Sequence, residues 1–283
     1  MMRDDFAVFI LSHGRADNVI TARTLEKYGY TGKWYVIIDD EDEQAPTYYK
    51  NFGDRVIMFS KDEASLITDT ADLIEKRNTV LFARNMCHGI AEKLGLTYFL
   101  ELDDDYKDFQ YRYVKGEKLK VIQIKDLDAI FDAMLSFLDV SGAKTVTFAQ
   151  GGDFLGGAQG SSIQKGLMRK AMNTFFCRVD RPFRFHGRCN DDVNTYLLGN
   201  NRGDLFFTVA LAMVLQVQTQ QNKGGLTEMY LELGTYTKSF YSVVHAPQAV
   251  KISTINSNHS RIHHLINYEH CTPKILNEKY RKV

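Results

Sequence analysis

Short apolar runs alternate with helix-like patterns along the first half of the chain. Four runs have the length of a strand and lead into a polar, mostly acidic loop: FAVFIL (6–11), WYVIID (34–39), RVIMFS (55–60) and TYFLELD (97–103). Apolar residues from Val19 to Leu25 then recur on one helix face, and a longer helical pattern over roughly 63–94 ends at Gly95. Strands without a polar face, separated by helices, predict an α/β fold with a mostly parallel central sheet flanked by helices.

The second half of the chain is less regular. A helical pattern near 126–140 precedes the strand-like run KTVTFAQ (144–150). The next stretch, GGDFLGGAQGSSIQKG (151–166), is too rich in Gly, Ser and Gln to lie in a core, and its length suggests a mobile lid or an acceptor-binding loop. The sequence shows no internal repeat and no low-complexity linker, so we expect a single domain.

The composition argues against a membrane protein and leaves other partners open. The 283 residues, 44% of them hydrophobic, can bury a sizeable core, and 35 Lys and Arg residues balance 35 Asp and Glu residues. The longest apolar run, LFFTVALAMVL (205–215), is shorter than the roughly 20 residues that cross a bilayer. MMRDDFAVFIL is unlike a signal peptide, and the four cysteines lack close pairing. We therefore expect a cytoplasmic protein.

Three consecutive aspartates, Asp103, Asp104 and Asp105, follow the fourth apolar run. Ligands of open parallel sheets bind beyond the carboxyl ends of the strands, so the loops beginning at Ser12, Asp39 and Asp103 should share one rim. An Asp-x-Asp pair at such a rim can hold a hard divalent cation that also binds a diphosphate. The competing interpretation is a solvated turn.

Two further loops at this predicted rim have the residue types of a nucleotide site. Asp39 can accept a hydrogen bond from a base edge or a ribose, and Ser12, His13 and Arg15 surround a glycine where backbone amides and a guanidinium could meet a nucleotide. An acidic surface loop and an ordinary strand-to-helix turn are the alternatives.

The long helical pattern repeats an arginine and an asparagine seven residues apart. Arg77 and Arg84, like Asn78 and Asn85, would lie on nearly one helix face. Arg84 and Asn85 could then point toward the aspartates and position the nucleotide or order the carboxylates. A solvent-facing polar stripe is the alternative.

These features together resemble nucleotide-sugar glycosyltransferases of the GT-A fold, which have a Rossmann-like sheet. The second half adds more specific strings: NTFFCRVDRPFRF (173–185), NDDVNTY (190–196), QTQQNKGG (218–225), RIHH (261–264) and PKILNEKYRK (273–282). As a set, they are similar to phage and bacterial enzymes called TET-associated glycosyltransferases. The resemblance covers nearly the whole chain.

The resemblance implies a single GT-A-like domain, with a donor nucleotide half (1–110) and an acceptor half (111–283). It implies transfer of a hexose or a pentose from a UDP-sugar, with Mn²⁺ or Mg²⁺, to a hydroxymethylated pyrimidine in phage DNA. We expect 5-hydroxymethylcytosine rather than 5-hydroxymethyluracil, inversion at the sugar, and a location in the host cytoplasm.

The resemblance also assigns roles to individual residues. Asp103 and Asp105 correspond to the metal-binding pair, with Asp104 between them near the nucleotide, and Asp39 to the nucleoside contact. In NDDVNTY, Asp192, with Asp191 as the second choice, would be the base that deprotonates the acceptor hydroxyl. The alternative for these two acids is a helix N-terminus, where the dipole favours them.

A further metal ligand is expected near the C-terminus, where GT-A enzymes often supply a histidine. His259, His263 and His264 compete within NHSRIHH, and we favour His263 or His264 without choosing between them. Histidine suits Mn²⁺ better than Mg²⁺. A structural role is the alternative.

A DNA acceptor requires a basic surface, because phosphate neutralisation supplies most nonspecific affinity. The segment from Lys165 to Arg188 has seven Lys or Arg residues against one acid, and LNEKYRKV (276–283) is a second candidate. Phe183 or Phe185 could stack on a flipped base, although phenylalanines so closely spaced are more often core residues.

Two other functions compete with DNA glycosylation. One is a GT-A transferase that acts on a protein or a cell-surface glycan, for which the basic segment is incidental. The other is a catalytically inactive DNA-binding module, which would have no need for Asp103, Asp105 and Asp192 together. Only DNA-binding proteins should lose acceptor affinity steeply with salt.

Overall fold

The computed structural model describes residues 1–217, 226–234, 236–256 and 260–273. Its strands are β1 (Phe6–Leu11), β2 (Lys33–Asp39), β3 (Val56–Phe59), β4 (Tyr98–Asp103), β5 (Tyr106–Lys115), β6 (Lys118–Gln123), β7 (Thr145–Ala149), β8 (Leu167–Met168), β9 (Phe175–Arg178), β10 (Phe206–Gln216), β11 (Val250–Asn256) and β12 (Ser260–Ile266). Its α-helices are α1 (Ile20–Lys27), α2 (Ala45–Phe52), α3 (Lys61–Leu66), α4 (Leu81–Lys93), α5 (Leu127–Ser141), α6 (Ser161–Lys165), α7 (Asp191–Asn201), α8 (Thr227–Leu233) and α9 (Thr237–His245).

One large sheet runs through both halves of the described chain. Its strand order is β3-β2-β1-β4-β9-β7-β10-β5-β6, with β8 paired to β10. Neighbours from β3 to β4 are parallel, as are β7 and β10, whereas β9 is antiparallel to both of its neighbours. β5 and β6 extend the sheet in antiparallel pairing, and β11 and β12 form a separate hairpin. The predicted α/β fold with a mostly parallel sheet is confirmed.

The sheet is buried on both faces, which explains its unbroken apolar runs. Every residue of β1 is buried. Phe6, Val8 and Ile10 pack in one core cluster with α1 and α5, while Ala7 and Phe9 pack in the opposite cluster with α4. Because helices cover both sides, neither face of this part of the sheet is exposed to solvent, and its strands need no alternation of apolar and polar residues.

The helix predicted near 126–140 is present as α5. The Asp126 side chain accepts a hydrogen bond from the Ala129 backbone amide at 3.0 Å and caps the first turn. Gly142 ends the helix with a φ of +67°, a conformation that glycine adopts without steric cost. Within the described ranges, no helix is long and apolar enough to span a membrane.

The single helix predicted over 63–94 is wrong, because residues 67–80 leave the helical path between α3 and α4. Buried Arg188 holds this segment: its guanidinium pairs with both oxygens of Asp72 at 2.7 and 2.9 Å, and donates to the carbonyl of Ile74 at 2.7 Å and to that of Lys76. Tyr241 donates to Asp72 at 2.6 Å. These carbonyls accept hydrogen bonds from a side chain that is distant in sequence and not from the amides of a continuing helix. The local pattern of apolar and polar residues does not show this interaction.

We predict that Arg188→Ala destabilises the protein by about 3 kcal/mol, because Asp72 and two carbonyls would lose a buried cationic donor. Urea denaturation followed by circular dichroism measures the free energy of unfolding. Arg184→Ala is the matched control, since Arg184 is exposed and makes one hydrogen bond, to the Ile67 carbonyl at 3.1 Å. Equal losses in the two variants would contradict the assignment.

The same cluster sets a pH dependence. Burial alone would raise the pKa of Asp72, but hydrogen bonds from Arg188 and Tyr241 lower it below its ordinary value. Such a carboxylate stabilises the fold above its unfolded-state pKa, and this contribution is lost as pH falls through the folded-state pKa. The stability difference between wild type and Arg188→Ala should therefore shrink below about pH 4.

Candidate active site

A cavity of about 360 Å³ opens at the carboxyl ends of the parallel strands. The loops after β1, β2 and β4 share this rim with the segment that precedes α4 and with the start of α7. The polar and charged side chains in its wall include Ser12, His13, Arg15, Asp39, Lys61, Arg77, Asn78, Arg84, Asp103, Asp104, Asp105 and Asp191.

Asp104 ties the loops of the rim together. Its carboxylate is buried and accepts hydrogen bonds from Ser12 Oγ at 2.6 Å and Arg15 Nη1 at 2.8 Å. Ser12 Oγ also pairs with Tyr48 Oη at 2.6 Å, and the Thr21 amide donates to the Asp104 carbonyl at 3.0 Å. Because both Asp104 oxygens already have partners, this residue anchors the aspartate loop.

Asp39 lies at the end of β2 between two basic side chains, those of His13 and Lys61. Its Oδ2 is 2.8 Å from His13 Nδ1, and its Oδ1 is 3.0 Å from Lys61 Nζ. Burial alone would raise the pKa of Asp39, but His13 and Lys61 lower it, so the carboxylate stays ionised. The hydrogen bond that His13 donates to the Asp39 carboxylate in turn raises the pKa of His13.

Lys61 was not predicted from the sequence, although it lines the cavity and is only 5% exposed. It is the first residue of α3, where the helix dipole disfavours a cation. A lysine at that position, directly after an N-cap serine, was the available signal that a carboxylate lies nearby.

Arg84 is a buried cation in the wall of the cavity, and acids surround it. The side chain is 4% exposed, with Nη2 3.1 Å from Asp103 Oδ1 and Nε 3.1 Å from Asp191 Oδ2. Its Nη1 is 4.0 Å from Glu101 Oε2, and the rings of Phe175 and Phe185 pack against the guanidinium. Burial alone would lower the pKa of Arg84, but the three carboxylates raise it, so the cation persists.

Glu101 was also missed by the sequence reasoning. It lies two residues before Asp103 on β4, therefore on the same face of the strand, and is 1% exposed. Burial raises the pKa of Glu101 to about 8, although Arg84 opposes the shift. A glutamate inside the apolar run YFLELD was the signal for a buried cation.

Asp103 and Asp105 have the chemistry of a divalent-cation site. Burial is the main reason that the pKa of Asp105 is raised to about 7, and the negative charges of Asp103 and Asp104 raise it further. The Asp103 side chain is 30% exposed and faces the cavity. Oxygen donors at a partly open rim fit Mg²⁺ or Mn²⁺, and a bound cation would relieve the repulsion that Asp105 experiences.

Two predictions for the helix residues are wrong. Arg77 and Asn78 share no helix face with Arg84 and Asn85, because they precede α4; Arg77 instead pairs with Glu41 and Asp62.

Asn85 does not point toward the aspartates either. Its side chain donates to the Phe185 carbonyl at 3.1 Å and accepts from the Phe185 amide at 2.8 Å. Its side chain, about 100° around α4 from that of Arg84, is engaged by Phe185 and is not part of the cavity wall.

Asp191 and Asp192 lie in the first turn of α7, as the helix N-terminus alternative anticipated. Asp191 lines the cavity and pairs with Arg84, whereas Asp192 accepts a hydrogen bond from the Val193 amide at 2.7 Å and is not part of the wall. Burial raises the pKa of both carboxyl groups, although Arg84 opposes the shift. The geometry brings Asp191, the second choice of the sequence reasoning, to the aspartate pair.

His263 and His264 lie on β12, away from the cavity wall. Their rings stack at 4.2 Å, and His264 Nδ1 is 3.3 Å from Asn190 Nδ2. Burial lowers the pKa of His264 to about 4. Over the described ranges, no group of three His, Cys, Asp or Glu residues is arranged to hold a metal, so neither histidine joins Asp103 and Asp105 there. His259 lies outside the described residues.

The basic segment from Lys165 to Arg188 is largely used inside the fold, contrary to the predicted DNA footprint. Arg178 pairs with Asp139 and Asp180, Lys170 with Asp153, and Arg188 with Asp72. Phe185 is 1% exposed and Phe183 packs against the same core, so both are core residues, the alternative to a stacking role. The strings 218–225 and 276–283 lie outside the described residues.

Comparison with solved structures shows the fold. The chain is 11% identical, with a TM-score of 0.50, to glucosyl-3-phosphoglycerate synthase from Mycobacterium tuberculosis in complex with Mn²⁺, UDP and glucosyl-3-phosphoglycerate, covering 93% of this chain and 88% of that one. A complex of that synthase with Mg²⁺ and UDP has 10% identity, the same coverages and a TM-score of 0.49. The protein has the fold of GT-A glycosyltransferases.

The family is shown by sequence. The model of the TET-Associated Glycosyltransferase family matches residues 6–225, most of the chain. The protein belongs to this family and is a glycosyltransferase, as its motifs predicted. A comparison of the sequence with curated proteins finds no match.

We predict that Arg84→Met lowers the free energy of unfolding by about 3–5 kcal/mol, because buried carboxylates would lose their common cation. Adding Asp103→Asn, which removes a carboxylate 3.1 Å from the guanidinium, should recover part of this loss. Urea denaturation at pH 7 tests both variants. Arg77→Met is the control, with an expected cost below about 1 kcal/mol for a partly exposed ion pair. A loss that Asp103→Asn does not reduce would argue against the charge explanation.

Proposed function

We propose that the protein transfers a hexose or a pentose from a UDP-sugar to the hydroxyl of a hydroxymethylated pyrimidine in DNA. The observation that carries this proposal is the meeting of Asp103, Asp105 and Asp191 at one cavity rim, next to the Asp39 loop. Family membership supports sugar transfer, and the synthase of similar fold was crystallised with UDP and a divalent cation.

The donor would be bound by the first half of the chain, 1–110. Asp39, held ionised between His13 and Lys61, would accept a hydrogen bond from the nucleoside through a lone pair that these partners leave open. Asp103 and Asp105 would hold Mn²⁺ or Mg²⁺, which when bound neutralises charge on the diphosphate leaving group. Arg15 and Asp104 keep this loop in place.

The acceptor would enter from the second half, 111–283. Asp191, which shares the cavity wall with Asp103 and contacts the same arginine, would remove the proton of the attacking hydroxyl as the bond to the sugar forms. Arg84 orients this carboxylate while also contacting Asp103, so donor and acceptor groups share one support. Attack of the acceptor oxygen on the sugar carbon from the side opposite the departing diphosphate, with its proton passing to Asp191, would give inversion at that carbon.

The DNA acceptor is part of the proposal and rests on the family resemblance, which also implies a phage origin and 5-hydroxymethylcytosine as the base. A cavity recessed below the strand ends would require the target base to leave the stack. A protein or a cell-surface glycan is the competing acceptor, and the internal use of the 165–188 cations removes one argument against it.

Nucleoside mass spectrometry tests the reaction directly. After incubation of 5-hydroxymethylcytosine-containing DNA with protein, Mn²⁺ and a panel of UDP-sugars, we expect a hexose or pentose mass increment that EDTA abolishes. Asp103→Asn and Asp105→Asn should lose this increment and remain folded, while the exposed control Asp54→Asn keeps it. Sugar transfer to a glycan but to no modified DNA would refute the acceptor assignment.

A second comparison decides which aspartate, Asp191 or Asp192, is the general base of the reaction. We expect Asp191→Asn to reduce turnover by at least about 100-fold, because an amide cannot accept the proton, while UDP binding stays unchanged. Asp192→Asn should act more weakly, since Asp192 faces its own helix. Turnover assays with parallel calorimetry of UDP binding separate the steps, and a larger loss for Asp192→Asn would return the role to that residue.

A further inference from the structure

β5 and β6 form a two-stranded ribbon at one end of the large sheet. β5 begins at Tyr106, directly after the aspartate triplet, and continues for 10 residues to Lys115. The chain turns at Gly116 and returns as β6, with Lys118 opposite Lys115. One end of the ribbon is thus continuous in sequence with the proposed metal ligand Asp105.

The ribbon is a basic surface in a chain without net charge. Residues 107–125 contain six Lys or Arg residues and two acids. Lys115, Lys118 and Lys120 are exposed, and none of them forms a salt bridge within the described part of the chain. The cations from Lys165 to Arg188, by contrast, are mostly consumed by Asp139, Asp153 and other internal partners.

Aromatic rings share a face of the ribbon with these lysines. Alternate residues of a strand point to the same side, which groups Tyr111, Tyr113 and Lys115. The register places Lys120 opposite Tyr113 and Lys118 opposite Lys115, so both belong to this face. Tyr111 and Tyr113 are 38% and 37% exposed. Cations for phosphates, interleaved with rings for stacking, are the combination with which proteins bind single-stranded nucleic acid.

We propose that this face, defined by Tyr111, Tyr113, Lys115, Lys118 and Lys120, binds an unpaired DNA strand that reaches the cavity. The inference rests on the proposed function, which supplies DNA as the acceptor. A strand rises about 3.3 Å per residue, so β5 reaches roughly 33 Å from the aspartate triplet. That reach fits a polyanionic polymer rather than a small acceptor, and the ribbon takes the place of the 165–188 segment as the basic footprint.

Binding of a fluorescent single-stranded oligonucleotide over a range of salt concentrations tests the surface. The variant Lys115→Gln/Lys118→Gln/Lys120→Gln should bind at least about 10-fold more weakly at low salt, and its log–log salt slope should be smaller by about 2. Tyr113→Thr should weaken binding without changing the slope, because stacking releases no counterions. Calorimetry of UDP binding to each variant should give the wild-type value and shows that the site remains intact.

Lys50→Gln/Lys93→Gln/Lys251→Gln is the matched control, since it removes the same charge from exposed lysines on α2, α4 and β11. It should keep the wild-type affinity and salt slope. Wild-type affinity and slope in the ribbon variant would overturn the inference. So would self-association as its only defect, since the lysines would then merely protect an open edge strand. Wild-type protein that shows no salt-dependent DNA binding would instead refute the DNA acceptor of the proposed function.

Discussion

The buried contact of Arg84 with three acids is the interaction on which the site depends. Without a cation between them, the carboxylates of Asp103 and Asp191 would repel each other in a medium of low dielectric constant. Arg84 compensates Asp103 on β4 and Asp191 on α7 at 3.1 Å each, and is itself enclosed by apolar rings. Because the planar guanidinium carries donors on separate nitrogens, it can contact acids from separate elements at once. Strand β4 and helix α7 therefore meet at one cation.

A second buried arginine, Arg188, holds a segment that forms part of the cavity wall. Arg188 draws the carbonyls of the 67–80 segment away from helical bonding, and Arg77 and Asn78 consequently line the cavity instead of continuing α4. Both arginines connect parts of the chain that are far apart in sequence. Stability and site geometry are thus linked, since loss of either cation leaves buried acids or carbonyls without a partner.

Charge counts along the sequence do not show which cations are engaged inside the fold and which are left to solvent. The 165–188 segment has the higher local density of cations, yet Arg178 and Arg188 form ion pairs within the fold. The ribbon is less conspicuous in sequence because its lysines are separated by apolar and aromatic residues. Antiparallel pairing brings Lys115, Lys118 and Lys120 to one face. They are exposed to solvent because the ribbon lies at the edge of the sheet.

The sequence by itself determined the sheet, the family and the rim. Unbroken apolar runs predicted β1, β2 and β4, and acidic residues at their ends predicted which loops meet, because strand direction alone brings carboxyl ends together. Tertiary structure decided the rest: that α3 and α4 are separate, that Asp191 rather than Asp192 faces the cavity, that Lys61 lines it, and that Glu101 lies beside Arg84. Each of these features depends on a contact between residues that are distant in sequence. The energy of such a contact exceeds the local helix or strand propensity, and the contact does not appear as hydrophobic periodicity in the sequence.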